Sequence, residues 1–119
     1  MIVAIQGTKN FNDYAVFLRG MGVALRSMPE DDTEFVVCST GPTQLNSFAQ
    51  EFLNISERSL KARGIKVKFR KVPPNWMKEN IKDFGYVLFF SKPKEPVSEI
   101  VDLAEAKDIS LLILGPSQN

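Results

Sequence analysis

The chain has 119 residues, the size of one ordinary domain. Fifteen Lys and Arg residues against fourteen Asp and Glu residues give a net charge of +1, so no overall field favours nucleic acid or a membrane as partner. The chain has no histidine and a single cysteine, Cys38, which excludes an internal disulfide, histidine-based catalytic triads and the usual zinc-ligand sets.

Short apolar runs alternate with longer amphipathic runs along the chain. The short runs are rich in branched residues and predict β-strands, whereas the long runs carry apolar residues at helical spacing. The predicted strands are Met1–Gln6, Glu34–Cys38, Ile65–Val72, Tyr86–Phe90 and Ser110–Leu114. The predicted helices are Phe11–Met28, Gln44–Arg63, Asn75–Asp83 and Pro96–Lys107. This alternation predicts a three-layer α/β fold with a five-stranded, mainly parallel sheet.

The third strand differs from the others because apolar and basic residues alternate strictly over Ile65–Arg70. A strand covered on both faces would not tolerate that alternation, so we expect it at a sheet edge. With the first strand central, the predicted order is 3-2-1-4-5. The direction in which the chain adds strands to the sheet then reverses between the first and fourth strands. Such a reversal opens a crevice that commonly binds ligands. We expect residues 1–116 to form one domain and Ser117–Asn119 to form a polar tail.

Two loops at strand-to-helix junctions carry the predicted ligand site, Gly7–Asn10 and Ser39–Thr43. Phosphates bind at such junctions because backbone N–H groups converge there and the helix dipole favours negative charge. The segment Ser91–Lys94 follows the fourth strand and is expected to complete the pocket. The candidate ligand-binding residues are Gly7, Thr8, Lys9, Asn10, Ser39, Thr40, Gly41, Thr43, Asn46, Trp76, Phe90 and Ser91.

The expected roles of these residues follow from their chemistry. The polar side chains of Thr8, Lys9, Ser39 and Thr43 are expected to contact phosphate or ribose, Gly7 and Gly41 to permit close backbone approach, and Trp76 or Phe90 to cover a base. Each residue also has a structural alternative. The glycines can serve tight turns, the hydroxyls can cap the following helix, and the aromatic rings can anchor the core.

A basic interval runs from Lys61 to Lys82 and is broken only by Glu79. It could bind a polyanion, but alternating lysines on an edge strand are typical of a solvated face that discourages pairing with other chains. Cys38 ends an apolar strand and is expected to act as a small buried hydrophobe.

The segment Ile5–Tyr14 resembles the opening of small Rossmann-like proteins of the SLOG superfamily, in which Gly-Ser-Arg-Asp-Phe-x-Asp-Tyr is typical. The segment Val36–Gly41 is similar to that family's second strand and Ser-Gly-Gly turn, and Phe69–Trp76 to its strand ending near a tryptophan. Asp83–Phe90 is similar to its fourth strand. The resemblance implies a Rossmann-like domain that binds a nucleotide or nucleotide-derived ligand, often without catalysis. Thr40 stands where that family has a glycine.

Three classes of function therefore stay open. The first is a nucleotide-binding sensor, sequestering protein or adaptor with no resident cofactor or metal. The second is a protein-interaction module that keeps the fold without a ligand. The third is a hydrolase or transferase acting at an N-glycosidic bond, which would need Glu51 or Asp13 in the pocket.

Two further expectations concern partners and location. No apolar stretch approaches the ~18 residues that a membrane span needs, and the first residues predict a strand in place of a signal segment, so we expect a cytoplasmic protein without a membrane partner. A homo-oligomer is expected from apolar surface beyond the needs of one core, contributed by Phe17, Met21, Leu25, Phe48 and Phe52.

Overall fold

The computed structural model describes residues 1–115 and is built around one five-stranded sheet. The strands are β1 (Ile2–Gly7), β2 (Glu34–Ser39), β3 (Lys66–Lys71), β4 (Tyr86–Phe90) and β5 (Leu111–Leu114). The helices are α1 (Tyr14–Arg26), α2 (Thr43–Ala62), α3 (Pro74–Glu79) and α4 (Glu99–Ala106), and a 3₁₀ turn covers Ile81–Asp83. The predicted tail, Ser117–Asn119, and residue 116 lie outside the described residues.

The sheet is parallel throughout, and its strand order is β3-β2-β1-β4-β5. This confirms the predicted Rossmann-like α/β architecture and the edge position of β3. Val67 and Phe69 turn inward, while Lys66, Lys68 and Arg70 stay exposed. The point at which the order of strand addition reverses also falls where it was predicted, between β1 and β4, with Gly7 beside Phe90.

Two apolar layers hold the helices on the sheet, one on each face. Helices α1 and α2 cover one face through Phe17, Met21 and Phe48. Helices α3 and α4 cover the other face through Met77 and Ile100. The successive residues of each inner strand supply both layers alternately, which is why these strands are apolar throughout.

Several predicted helix ends shift by a few residues, each for a local reason. Asp13 accepts a hydrogen bond from the Val16 N–H and starts α1 at Tyr14, three residues after the predicted start at Phe11. Phe11 itself is buried against the rings of Phe48 and Phe90. Ser98 caps α4 in the same way, so that helix begins after Pro96.

The apolar residues expected to mediate oligomerisation are used inside the protomer. Phe17 and Met21 are fully buried, and Phe48 and Phe52 are at most 9% exposed. Leu25 packs against the same core. The expectation of a homo-oligomer therefore loses the surface on which it was based.

Gly20 lies on α1 where the helix approaches β4 and β5. A Cβ added there would stand 2.9 Å from the Phe90 ring and 3.0 Å from Leu114 Cδ1. We expect Gly20→Ala to lower the free energy of unfolding by about 1 kcal/mol, because overpacking exceeds the gain in helix propensity. Gly22→Ala is the matched control, since its Cβ would meet only the flexible end of Arg26 and should be neutral or stabilising. Urea unfolding that ranks the two variants in the opposite order would contradict this packing.

No helix within residues 1–115 combines the length and apolar character needed to cross a membrane.

Candidate functional site

An open cleft of about 650 Å³ lies at the carboxyl edge of the sheet, beside the point between β1 and β4 where the order of strand addition reverses. The end of β1 and the loop after β2 form one wall, through Gln6, Gly7 and Thr40. The other wall comes from Pro74 and from the loop before α4. The remaining lining residues are Thr8, Lys9, Gly41, Pro42, Phe89, Glu95, Pro96 and Ser98.

The loop after β1 is tied to the neighbouring strand ends by its own backbone. Gly7 donates its N–H to the Gly41 carbonyl at 3.2 Å, and Thr8 donates its N–H to the Phe90 carbonyl at 2.9 Å. A Cβ on Gly7 would lie 3.2 Å from that same Phe90 oxygen. Glycine therefore allows β1 and β4 to approach closely before the chain turns.

Thr8 is buried and its hydroxyl is used inside the protein. Its Oγ1 accepts a hydrogen bond from the Lys92 N–H at 2.9 Å, which joins the loop after β1 to the loop after β4. Lys9, the next residue, is exposed and lines the cleft. Of this predicted pair, only the lysine presents its side chain freely to the cleft.

Ser39 likewise makes contacts within the protein. Its hydroxyl donates to Asn46 Oδ1 at 2.5 Å and accepts from the Gly41 N–H at 3.0 Å, and the residue is 1% exposed. Gly41 has a φ of +95°, and a cis peptide bond joins it to Pro42. The hydroxyl of Ser39 and the amide of Asn46 therefore shape the loop after β2.

A carboxylate stands over the loop after β1. Glu95 Oε1 accepts from the Asn10 N–H at 3.1 Å, and Oε2 accepts from Asn10 Nδ2 at 2.8 Å. The neighbouring Thr8 hydroxyl, the hydrogen bonds from Asn10 and the charge of Lys92 hold the pKa of Glu95 below its ordinary value. The backbone N–H of Asn10, in the loop that was expected to bind phosphate, therefore already donates to the Glu95 carboxylate.

Gln6 carries an unusual polar group in the cleft wall. Its Nε2 donates to Thr40 Oγ1 at 2.6 Å. Its Oε1 is buried and has no hydrogen-bond partner within residues 1–115. Buried acceptors are normally satisfied, so this carbonyl is an exception in the wall of the cleft.

The N-terminus of α2 opens beside Gly41 and Pro42. No side chain within residues 1–115 caps it, and its first turn contains no acidic residue. Thr43, the first helical residue, is exposed. The first N–H groups of a 20-residue helix thus point outward with the favourable end of the dipole.

The structure brings five of the twelve predicted residues to the cleft and places the others elsewhere. Those lining it are Gly7, Thr8, Lys9, Thr40 and Gly41. The expectation that Phe90 covers a base is wrong, because its ring is fully buried between α1 and the sheet. Trp76 lies outside the lining and packs edge-on against Phe84, with Arg70 over its ring. Ser91 donates its N–H to the Leu114 carbonyl.

The groups considered for catalysis do not line this cleft. Asp13 caps α1, and Glu51 lies on the exposed side of α2 about 12 Å along the helix from its first residue. Burial raises the pKa of the Cys38 thiol despite the opposing charge of Arg70. Residues 1–115 contain no cluster of three or more His, Cys, Asp or Glu side chains suited to a metal.

A second cavity of about 430 Å³ lies at the opposite end of β3, between its first residues and the end of α2. Glu57 and Lys61 line one side, and Ile65 and Val67 line the other. It lies away from the carboxyl edge of the sheet and from both predicted loops.

Sequence reasoning missed several residues that line the cleft. Gln6 had a detectable signal, since it is a polar residue at the end of an otherwise apolar strand. Glu95 had a weaker one, because it follows directly after the predicted pocket segment Ser91–Lys94. Pro74 and Ser98 gave none.

No family model, no curated protein and no solved structure matches this chain. The function is therefore argued from the chemistry of the cleft.

Proposed function

We propose that this protein binds a small nucleotide-derived molecule in the cleft and acts as a sensor, sequestering protein or adaptor. The observation that carries the proposal is Gln6 Oε1, which is buried and has no hydrogen-bond partner within residues 1–115. It lies in the wall of the open cleft beside β1 and β4, where the order of strand addition reverses. An amino group of a base or a hydroxyl of a sugar would satisfy it once the Gln6 side chain turns towards the cleft. An unsatisfied buried acceptor costs about 1–3 kcal/mol, which such a ligand would recover in part.

The rest of the cleft suits the other parts of such a ligand. The rings of Pro42, Pro74 and Pro96 provide apolar surface for a base or sugar ring. Lys9 and the open N-terminus of α2 provide positive potential for an anionic group. The resemblance of the two loops to those of the SLOG superfamily supports the same ligand class and is part of the proposal.

A thermal-stability screen against nucleosides, nucleotides, dinucleotides, cyclic oligonucleotides and ADP-ribose derivatives tests it. A ligand at ~100 times its dissociation constant should add about 2.7 kcal/mol of stability, or roughly 10 °C in Tm for a domain of this size. Gln6→Met should weaken that ligand at least about fivefold, because the acceptor is lost.

Lys66→Ala is the matched control, since this exposed lysine lies on the edge strand away from the cleft. It should leave the ligand-induced shift unchanged. A flat response across the whole panel, or equal shifts in Gln6→Met and the unmodified protein, would overturn the proposal.

A protein-interaction module is the second candidate, and the internal contacts of Thr8 and Ser39 favour it. Both hydroxyls are satisfied by the protein itself, so the loops keep their shape with no ligand. A flat ligand screen together with a stable stoichiometric complex with another protein would select this alternative.

A further inference from the structure

We propose that Glu95 occupies the anion position of the loop after β1, so that the cleft accepts an uncharged group there, such as sugar hydroxyls, and rejects phosphate. This inference rests on the proposed function, because it names the kind of ligand that the same cleft takes. Any phosphate on the ligand would then lie towards the N-terminus of α2.

The contacts of Glu95 are those that a bound anion would make. Its two carboxylate oxygens accept from the Asn10 backbone N–H and from the Asn10 amide, at 3.1 and 2.8 Å. A backbone N–H and a side-chain amide converging on one carboxylate are typical of an oxyanion site.

The loop that carries Glu95 is built to hold it in place. Lys92 donates its N–H to Thr8 Oγ1 at 2.9 Å, and Glu95 donates its N–H to the Lys92 carbonyl at 3.1 Å. Lys94 between them has a φ of +71°, in the left-handed region that a non-glycine residue seldom adopts. The turn fixes the carboxylate over Asn10 across 85 residues of sequence.

The charge of Glu95 sets the selectivity. The hydrogen bonds that lower its pKa keep it ionised at neutral pH, so a phosphate next to it meets both repulsion and occupied donors. A carboxylate is an acceptor with several lone pairs, and those that Asn10 leaves unused can accept from ligand hydroxyls.

Inorganic pyrophosphate is the probe for this inference, followed through the backbone amide resonances of Thr8 and Asn10. In the unmodified protein these resonances should stay unchanged. In Glu95→Ala the Asn10 amide should shift saturably, at pyrophosphate concentrations at least about tenfold below the highest that leaves it unchanged in the unmodified protein. Glu99→Ala is the matched control, because that carboxylate pairs with Lys78 on the surface. It should behave like the unmodified protein.

Glu95→Gln keeps nearly the same shape and serves if the alanine variant does not fold. Absence of any gain in both variants, or saturable pyrophosphate binding at Asn10 in the unmodified protein, would overturn the inference. The two proposals fail separately. If Glu95→Ala gains pyrophosphate affinity but no nucleotide derivative raises the Tm, only the proposed function is contradicted. If a nucleotide derivative binds but Glu95→Ala gains no pyrophosphate affinity, only the role of Glu95 is contradicted.

Discussion

Replacing Phe90 with alanine should lower the free energy of unfolding by about 3–5 kcal/mol. The ring is fully buried and packs beside Gly20. Its centroid lies 5.3 Å from that of the Phe11 ring and 5.2 Å from that of the Phe17 ring. Removing it leaves a cavity in the layer that joins α1 to the sheet. Denaturant unfolding followed by circular dichroism measures the loss, which is a large share of the stability of an ordinary domain.

Ile55→Ala is the control for this truncation. Ile55 is 69% exposed on α2, so the change should stay within about 0.5 kcal/mol. A Phe90→Leu variant should fold and keep its ligand affinity, because the ring faces the core. Loss of affinity in folded Phe90→Leu, or a cost for Phe90→Ala no larger than that of Ile55→Ala, would contradict the buried position.

The second large effect is expected at Ser39. Ser39→Ala removes the hydroxyl that accepts from the buried Gly41 N–H and donates to Asn46 Oδ1. Leaving the Gly41 donor unsatisfied should cost about 1–3 kcal/mol. Chemical denaturation of the purified variant gives this number directly.

Ser47→Ala tests whether this cost is specific to position 39. Ser47 is exposed on α2, the helix that carries Asn46, and its replacement should change the free energy of unfolding by less than about 0.5 kcal/mol. Equal effects at the two serines would show that the hydroxyl of Ser39 has no special role in the loop.

The fold was predictable because its signals are local. The alternation in β3 places that strand at the edge, and the apolar runs of β1 and β4 place those strands inside. The role of Phe90 was not predictable, because Phe89 and Phe90 are equally apolar and the sequence does not show which face of the sheet each one meets. The pairing of β4 puts Phe89 into the core layer under α3 and α4, and Phe90 into the layer under α1 and α2.

The position of the candidate site was predictable, but the use of its polar groups was not. Parallel strands bring the ends of β1 and β2 together, so Gly7 and Gly41 meet as expected. Thr8 and Asn10, however, find their partners in Lys92 and Glu95, more than 80 residues further along the chain. Which donor remains free depends on such contacts between distant segments, and a reading of local motifs cannot supply them.

The central claim, that the cleft is the ligand site, is tested most directly by titrating the nucleotide-derivative panel into isotopically labelled protein and following its glycine amides. Gly7 and Gly41 line the cleft, whereas Gly64 lies at the second cavity beside β3. We expect at least one compound to shift the Gly7 and Gly41 resonances saturably and to leave the Gly64 resonance unchanged. Shifts confined to Gly64, or no shift of Gly7 and Gly41 with any compound, would contradict it.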